Sequence, residues 1–166
     1  DPQAAIGRQQ LRKLPSFIEA RKRNWDFLRA GLADLEEFFD FSLPTHATRW
    51  SPAGFAWDGT GCRSDCSWFG FMLRVRPGAP FKHSDLGRHL DEKKIGNRML
   101  FGGNLLRQPV FVQLRQDRPE SFRVAAPCPG ADELMSRGLF LGTYPGLSQA
   151  MLDYEIEAIH QFVRSR

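Results

Sequence analysis

The chain contains a continuous apolar run, SWFGFMLRVRP at residues 67–77, which ends at Pro77-Gly78. A run of this length, bounded by turn residues, predicts a β-strand. Two further apolar segments, NRMLF (97–101) and LFLGTYP (139–145), are predicted as strands as well. VFVQL (110–114) fits either a short helical turn or another strand. The chain is therefore expected to build a sheet of three or four strands.

Two helices are predicted before these strands. Residues 3–14 fit a short helix, and Pro15 suits the first turn of a second helix that runs to about Leu35. Ile18, Trp25 and Leu32 recur every seven residues and predict the buried stripe of the second helix. Its polar side is interpreted as a solvated face and is crowded with the basic residues Arg21, Lys22, Arg23 and Arg29.

Three more helices are predicted toward the C-terminus. Ser84 is the expected cap of a helix that ends at Gly96, and GADELMSRG (130–138) predicts a small helix. Ser148 is expected to open the final helix, with a buried side marked by Leu152, Ile156, Ile159 and Val163. Alternating strands and helices of this kind predict an α+β fold, with helices covering one face of the sheet.

Residues 38–66 are expected to be irregular, because prolines and glycines interrupt any long element. The same segment holds six large aromatic side chains, which are Phe38, Phe39, Phe41, Trp50, Phe55 and Trp57. Side chains of this size must be buried, either within this domain or against another one.

Composition limits the classes of function. The 166 residues suffice for one domain with a real core, and 42% hydrophobic with 25% charged residues is typical of a globular protein. The net charge of +4 is scattered along the chain. It gives little support to nucleic-acid binding and is compatible with small anionic substrates. No segment resembles a membrane span or a signal peptide, so no membrane partner and a cytoplasmic location are expected.

No complete catalytic or metal-binding motif is present, so no catalytic residue and no metal ligand are predicted. Cys62 and Cys66 could begin a metal site but lack a second close pair, and Cys128 is distant. The alternative is three reduced thiols. None of the four histidines has a metal-ligand partner at suitable spacing. Glycine-rich phosphate loops and a G-x-S-x-G motif are absent.

One segment combines apolar and chemically active residues in an unusual way. IGNRMLFGGNLLRQPVF (95–111) places paired glycines, two arginines, Asn104 and Gln108 within one hydrophobic stretch. Neither a plain core strand nor a plain surface loop requires that combination.

Four segments together resemble a known family. They are DPQAAIGRQQLRKLPSFIEARKRNWDFL (1–28), SWFGFMLRV (67–75), the segment 95–111, and LFLGTYPGLSQAMLDYEIEAIHQF (139–162). The first segment resembles the DegT-type sugar aminotransferases, which are pyridoxal-phosphate proteins of fold type I. The other three resemble one branch, the NDP-4-keto-6-deoxyhexose 3-dehydratases of lipopolysaccharide and deoxysugar biosynthesis. The N-R-x-L-F-x-G-N-x-x-R-Q-P and G-x-Y-P-G-L arrangements carry that narrower match.

The resemblance implies a parent enzyme more than twice as long, of which this chain is the C-terminal part. Residues 1–35 would be a helical linker out of a missing cofactor domain, and residues 36–166 a small α+β domain with a mostly antiparallel sheet. The absence of an initiator methionine before the first predicted helix suggests a fragment too. The parent would bind pyridoxal or pyridoxamine phosphate, and some dehydratases also bind a [2Fe–2S] cluster. Neither cofactor is expected in this chain, which is predicted to be inactive alone.

The resemblance also implies a binding site. The strand and turn at residues 97–108 would face the cleft that admits a nucleotide-sugar, with Arg98, Asn104, Arg107 and Gln108 as substrate-binding residues. Arginine offers a planar fork to phosphate or sugar oxygens, and asparagine both donates and accepts hydrogen bonds. Gly102 and Gly103 would let the backbone approach the ligand. The alternative for Arg98 and Arg107 is a structural ion pair with a carboxylate.

The expected partners are the nucleotide-sugar, a second subunit in a homodimer, and an electron-transfer reductase. Two alternative functions remain open at the level of sequence. A sugar aminotransferase would have lysine, rather than the histidine of a dehydratase, at the cofactor. A stand-alone binding module would lack catalysis altogether. If the gene continues upstream into a cofactor domain, the chain belongs to a dehydratase or an aminotransferase and is not a stand-alone binding module.

Overall fold

The computed structural model describes residues 1–166 as five α-helices and six β-strands. The helices are α1 (Pro2–Gly31), α2 (His83–Glu92), α3 (Pro109–Asp117), α4 (Pro129–Arg137) and α5 (Gln149–Arg164). The strands are β1 (Phe39–Phe41), β2 (Ala47–Ser51), β3 (Gly54–Trp57), β4 (Gly70–Val75), β5 (Asn97–Met99) and β6 (Gly138–Gly142). The predicted α+β class is confirmed.

Four strands form one antiparallel sheet in the order β1-β4-β6-β5, and β2 pairs with β3 in a separate hairpin. Alternation along β4 buries Phe71, Leu73 and Val75 on one face. The register aligns Leu73 with Leu139 and Phe71 with Leu141, so one sheet face is continuous with the hydrophobic core. The helices α1, α2 and α5 contribute the other core side chains, among them Trp25, Leu86 and Ile159.

The opposite face of the sheet is covered only in part. Met72 of β4 and Phe140 of β6 are paired on this face, and Arg98 of β5 lies next to Phe140. Near the β1 side, Arg74 forms ion pairs with Asp40 and with Glu133 of α4. Helix α4 thus packs on this second face, whereas the sequence predicted helices on one face alone. We call the rest of this surface the open face.

The two leading helices of the prediction are one continuous helix, with Pro15 in its interior. Asp1 caps it by accepting a hydrogen bond from the Gln3 N–H at 3.0 Å. Proline removes one helical hydrogen bond, that to the Leu11 carbonyl. Residues 1–16 are all exposed, so water can hydrate that carbonyl and lower the cost of the proline.

The basic side of α1 is not simply a solvated face. Arg29 is buried, donates to Glu36, and places its guanidinium 4.4 Å from the centre of the Phe41 ring. Arg21 is half-buried and donates to the Trp68 carbonyl at 3.0 Å. The planar guanidinium can stack on a ring and still donate, which explains why arginines are used here.

The aromatic segment 38–66 contains three short strands, β1 to β3, where the sequence predicted irregular structure. Its side chains pack mainly within this chain. Trp25 of α1 stacks on Trp68 at a centroid distance of 4.4 Å and contacts Trp50 and Phe55 at 6.1 and 5.6 Å. Short strands with frequent glycine carry too little periodicity to be recognised from sequence.

Helix α2 begins and ends earlier than its sequence signals indicated. Its N-cap is Lys82 and not Ser84, because the Asp85 carboxylate accepts from the Lys82 N–H at 3.0 Å. It ends four residues before Gly96. Lys94 takes the left-handed conformation with φ of 62°, and the Ile95 N–H bonds back to Leu90 at 2.8 Å. This is a Schellman-type end in which lysine occupies the usual glycine position.

The predictions for the C-terminal part are largely confirmed. VFVQL is helical within α3, GADELMSRG lies mainly in α4, and Ser148 caps α5 by accepting from the Met151 N–H. The buried side of α5 includes Leu152 and Ile159 as expected. It also includes Glu155, which the sequence analysis did not identify as buried.

Candidate functional site

Arg98 lies in the middle of the edge strand β5, on the open face of the sheet. Strand alternation puts Asn97 and Met99 on the other face and leaves Arg98 paired in register with Phe140. Arg98 is exposed and forms no ion pair or hydrogen bond with another side chain. The structural ion pair considered as its alternative is therefore absent, and its guanidinium is available to a ligand.

A groove of about 440 Å³ surrounds Arg98. Its walls come from α1, α2, β5, β6 and the segments before β4 and after β6, and include Arg21, Phe69, Asp91, Phe140 and Tyr144. The Asn24 side chain fixes this segment by donating to the Tyr144 carbonyl at 3.0 Å, and the Thr143 hydroxyl donates to the Trp68 carbonyl at 2.8 Å. Two arginines beside aromatic rings suit an anionic ligand that carries a ring.

The other three predicted site residues lie apart from Arg98, and two of them bind Asp132 of α4. Asn104 is buried, and its side-chain amide donates to Asp132 at 2.8 Å. Arg107 donates to both oxygens of Asp132, from Nε and Nη2, each at 3.0 Å. Gln108 donates to the Gly102 carbonyl at 2.6 Å. These contacts correspond to the structural alternative for Arg107 and fix the loop at residues 102–108 against α4.

The electrostatics of Asp132 follow from this network. Hydrogen bonds from Arg107 and then from Asn104 lower the pKa of the Asp132 carboxyl to about 2. The carboxylate therefore stays ionised at neutral pH and holds both donors. A ligand that recruited Arg107 would compete with a bidentate ion pair, whereas one that approached Arg98 would meet no competitor.

The paired glycines also have an internal explanation. Gly103 has φ of +58°, and a Cβ built on it would lie 2.5 Å from Cγ of Met135 in α4. Glycine is needed there because both the left-handed backbone and the close helix exclude a side chain. Phe101, two residues earlier, also has a positive φ, of 46°, and is 74% exposed next to Phe140.

A second cavity of about 320 Å³ adjoins the groove. The two share Gly96, Gly142 and Tyr144 as lining residues. The cavity is also lined by Glu155, which is 5% exposed. Burial raises the pKa of the Glu155 carboxyl to about 7, with no hydrogen bond or ion pair to offset it.

Neither the groove nor the adjoining cavity offers a fit for pyridoxal phosphate. No histidine lines either one, and the single lysine, Lys94, is an exposed residue just after α2. No group of three or more His, Cys, Asp or Glu side chains is arranged to hold a metal ion. No helix of the chain is long and apolar enough to cross a membrane.

Three contributors to this surface were missed in the sequence. Arg21 was interpreted as part of a solvated face, and Tyr144 and Glu155 were not among the predicted site residues. A signal for Glu155 was present, because it lies three residues after Leu152 and four before Ile159, at the spacing of the buried side.

Comparison with known proteins identifies the family. The model of the DegT/DnrJ/EryC1/StrS aminotransferase family matches residues 1–160. The chain belongs to this family. The resemblance of the first segment to DegT-type proteins is thereby confirmed, and the match extends over nearly the whole chain.

Relatives narrow the comparison within the family. The chain is 36% identical over 163 residues to the dTDP-4-dehydro-2,6-dideoxy-D-glucose 3-dehydratase of Saccharopolyspora spinosa, covering 98% of this chain and 30% of that protein. It is 34% identical over 162 residues to the lipopolysaccharide biosynthesis protein RfbH of Salmonella typhimurium, covering 98% of this chain and 32% of RfbH. The chain thus spans about a third of the length of these relatives.

A solved structure confirms the fold. GDP-4-keto-6-deoxy-D-mannose-3-dehydratase of E. coli, determined with bound hydrated PLP, matches 93% of this chain and 33% of its own. The TM-score is 0.69 and the sequence identity 25%. The small antiparallel sheet with flanking helices is therefore the architecture expected for this part of a fold type I enzyme.

Proposed function

We propose that this chain is the nucleotide-sugar-binding part of an NDP-4-keto-6-deoxyhexose 3-dehydratase. The observation that carries the proposal is Arg98, which is exposed on the open face, free of any ion pair, and surrounded by Arg21, Phe140 and Tyr144. The named activities of the relatives support the choice of reaction, since two of those compared are 3-dehydratases.

In this proposal, the guanidinium of Arg98 binds phosphate oxygens of the substrate. A guanidinium donates two parallel hydrogen bonds to such oxygens, and the adjacent rings offer an apolar surface to the rest of the ligand. Arg21 adds positive charge but keeps donating to the Trp68 carbonyl. Asn104, Arg107 and Gln108 remain proposed contributors. They would act by holding the loop at residues 102–108 next to the groove, and a direct contact from Arg107 would require it to leave Asp132.

Pyridoxal or pyridoxamine phosphate would be held by a part of the enzyme outside this chain, where it would supply the electron sink for loss of the C3 hydroxyl. We propose that residues 1–35 connect to that part, since residues 1–16 of α1 are all exposed. A homodimer, an electron-transfer reductase, a [2Fe–2S] cluster and a cytoplasmic location also stay predictions for the whole enzyme.

The test is the substitution Arg98→Ala in a full-length enzyme that contains this chain and has the length of the relatives. A charge-assisted hydrogen bond contributes about 1.5–3 kcal/mol, so kcat/KM is expected to fall roughly ten- to a hundredfold. Arg98→Lys should restore only part of the loss, because ammonium lacks the planar fork. Thermal melting of the same preparations provides the control, and unchanged kcat/KM beside a lowered melting temperature would refute the role of Arg98.

An aminotransferase is the second candidate, favoured by the family's own description. Supplying the wild-type enzyme with an NDP-4-keto-6-deoxyhexose, an amino donor and an electron-transfer reductase distinguishes the two. A dehydratase releases a 3-deoxy product, whereas an aminotransferase leaves a 4-amino sugar with its C3 hydroxyl in place.

A further inference from the structure

The cavity beside the Arg98 groove contains a polar group that nothing in the chain accounts for. Glu155 lines it, is 5% exposed, and makes neither a hydrogen bond nor an ion pair. The carboxyl oxygens of Glu155 are not fully enclosed and open into the cavity. Polar groups in protein interiors are generally hydrogen-bonded, so a partner for this carboxyl has to come from the cavity itself. An unpartnered carboxyl facing a cavity therefore suggests that a ligand provides the missing partner.

The surroundings of Glu155 are otherwise mainly apolar. Ile95, Leu147 and Met151 line the same cavity. Tyr154 is held in place because its hydroxyl donates to the Lys93 carbonyl at 3.2 Å. Tyr144 stands between cavity and groove and is 50% exposed, so one ring can contact ligand atoms in both spaces. Apolar walls with one convergent polar group are typical of a small-molecule site.

Charge restricts the class of ligand. An anion would be repelled by an ionised Glu155. An ammonium ion would meet Lys94 in the cavity and, in the adjoining groove, two arginines against one acidic side chain, Asp91, which already accepts a hydrogen bond from Asn97. Lys94, Tyr144 and Tyr154 are the other ionisable groups that line the cavity. A neutral group that both donates and accepts hydrogen bonds, such as a hydroxyl, avoids both kinds of repulsion.

The position of the cavity restricts the ligand further. It adjoins the groove in which Arg98 is proposed to bind phosphate, sharing Gly96, Gly142 and Tyr144 with it. In a nucleotide-sugar, the unit next to the diphosphate on either side is a sugar ring, and the base lies one unit further away. A sugar also combines an apolar C–H face with a hydroxyl edge, which matches the apolar walls and the carboxyl.

We propose that this cavity is a sugar subsite in which Glu155 hydrogen-bonds a ring hydroxyl, while Tyr144 and the apolar side chains contact the ring face. The inference rests on the proposed function, because it uses Arg98 as the phosphate contact. The hydroxyl can come from the hexose or from the pentose of the nucleoside, and the two sources differ in which part of the substrate is required.

The experiment is a titration of the isotope-labelled 166-residue chain with dTDP-glucose at pH 6, followed by NMR. Signals of Glu155 and of the backbone at Gly96 and Gly142 are expected to shift in a saturable way. Glu155→Leu removes the hydrogen bonds but keeps the bulk, and should weaken binding about three- to tenfold. Glu155→Gln still donates and accepts and should bind within about twofold of wild type. Glu157→Leu, the same change at an exposed position of α5, should leave binding unchanged.

Separate titrations identify the source of the hydroxyl. A Glu155 effect with dTDP alone assigns it to the pentose, and an effect with glucose 1-phosphate assigns it to the hexose. Thymine, which has no hydroxyl, should not perturb Glu155, and a Glu155-dependent response to thymine would overturn the assignment to a sugar.

The outcome that overturns the subsite while sparing the proposed function is specific. It is saturable binding of dTDP-glucose that Arg98→Ala weakens and Glu155→Leu does not. Absence of any shift at Glu155 up to saturating nucleotide-sugar overturns the subsite as well. The proposed function has its own test in the kinetics of Arg98→Ala.

Discussion

Replacing Glu155 by glutamine is expected to stabilise the fold at neutral and alkaline pH and to have little effect near pH 4. The two side chains have nearly the same shape and both are polar. They differ in that the carboxyl of Glu155 must ionise as the pH rises, within a site that provides no partner. The substitution therefore isolates the free-energy cost of a buried negative charge.

The magnitude follows from the pKa. Burial raises the pKa of Glu155 from 4.5 to about 7. Between these values the folded chain retains a proton that the unfolded chain has released, so the free energy of unfolding decreases as the pH rises. The decrease begins near pH 4.5 and is complete slightly above pH 7. At 1.36 kcal/mol per pH unit, the total loss is about 3 kcal/mol. For a chain of this length, that corresponds to roughly 6–12 °C in melting temperature.

The assay is urea or thermal unfolding of wild type and Glu155→Gln at one-unit steps from pH 4 to pH 8. The difference between the two should increase from near zero to about 3 kcal/mol, because glutamine is neutral throughout. Glu157→Gln provides a matched control on the same helix, since Glu157 is exposed and pairs with Arg164. Its difference from wild type should stay within about 0.5 kcal/mol at every pH.

A constant difference between wild type and Glu155→Gln across the whole pH range would refute the reasoning. It would mean that the folded chain admits enough water, or another donor, to solvate the ionised carboxyl. The cavity would then contain a satisfied carboxylate, and the argument for a missing ligand partner would fail together with the prediction.

Three further predictions test other parts of the chain. Gly103→Ala should lower the free energy of unfolding by about 1–3 kcal/mol, because it places a side chain on a left-handed backbone and against α4. Gly96→Ala is the control, since a Cβ there meets nothing within 4 Å, and it should change the free energy of unfolding by less than about 0.5 kcal/mol. Asp132→Asn should weaken the network that holds residues 102–108. Relative to wild type, hydrogen exchange should become faster in that loop, while exchange in β4 should change little. Sedimentation should show self-association of the chain, because Ile6 and Leu11 are 63% and 66% exposed on α1, and a monomer at every concentration would contradict this.

The sequence predicted those elements whose own periodicity is strong. The strand β4 and the helix α5 repeat apolar residues at spacings of two and of three to four, so neighbours in space were not needed to recognise them. The strands β1 to β3 are three to five residues long and depend on pairing partners that are distant in sequence or on a tight turn. The continuity of α1 through Pro15 likewise depends on solvent exposure of this part of the helix. The expectation that a proline marks the first turn of a new helix takes no account of such exposure.

The site was predictable only where a motif marked it. Arg98 was indicated by the resemblance of residues 95–111 to the family, and strand alternation places it on the open face. Asn104 and Arg107 were indicated by the same resemblance, but their common partner Asp132 lies at least 25 residues later, and no local pattern connects them. The sequence could thus identify side chains that are able to bind a ligand. It could not show which of them already have a hydrogen-bond or ion-pair partner within the chain.

The environments of Asp132 and Glu155 shift the pKa values of their carboxyls in opposite directions. Hydrogen bonds from Arg107 and Asn104 lower the pKa of Asp132, whereas burial raises the pKa of Glu155. The first arrangement stabilises the loop at residues 102–108, and the second carries a cost that the fold alone does not offset. Arg98 is the cationic counterpart of Glu155, since it too has no partner within the chain and lies in the space next to it. A ligand that carries phosphate beside a hydroxylated ring would satisfy both groups at once, which is why the two unpartnered side chains together argue for a nucleotide-sugar more strongly than either does alone.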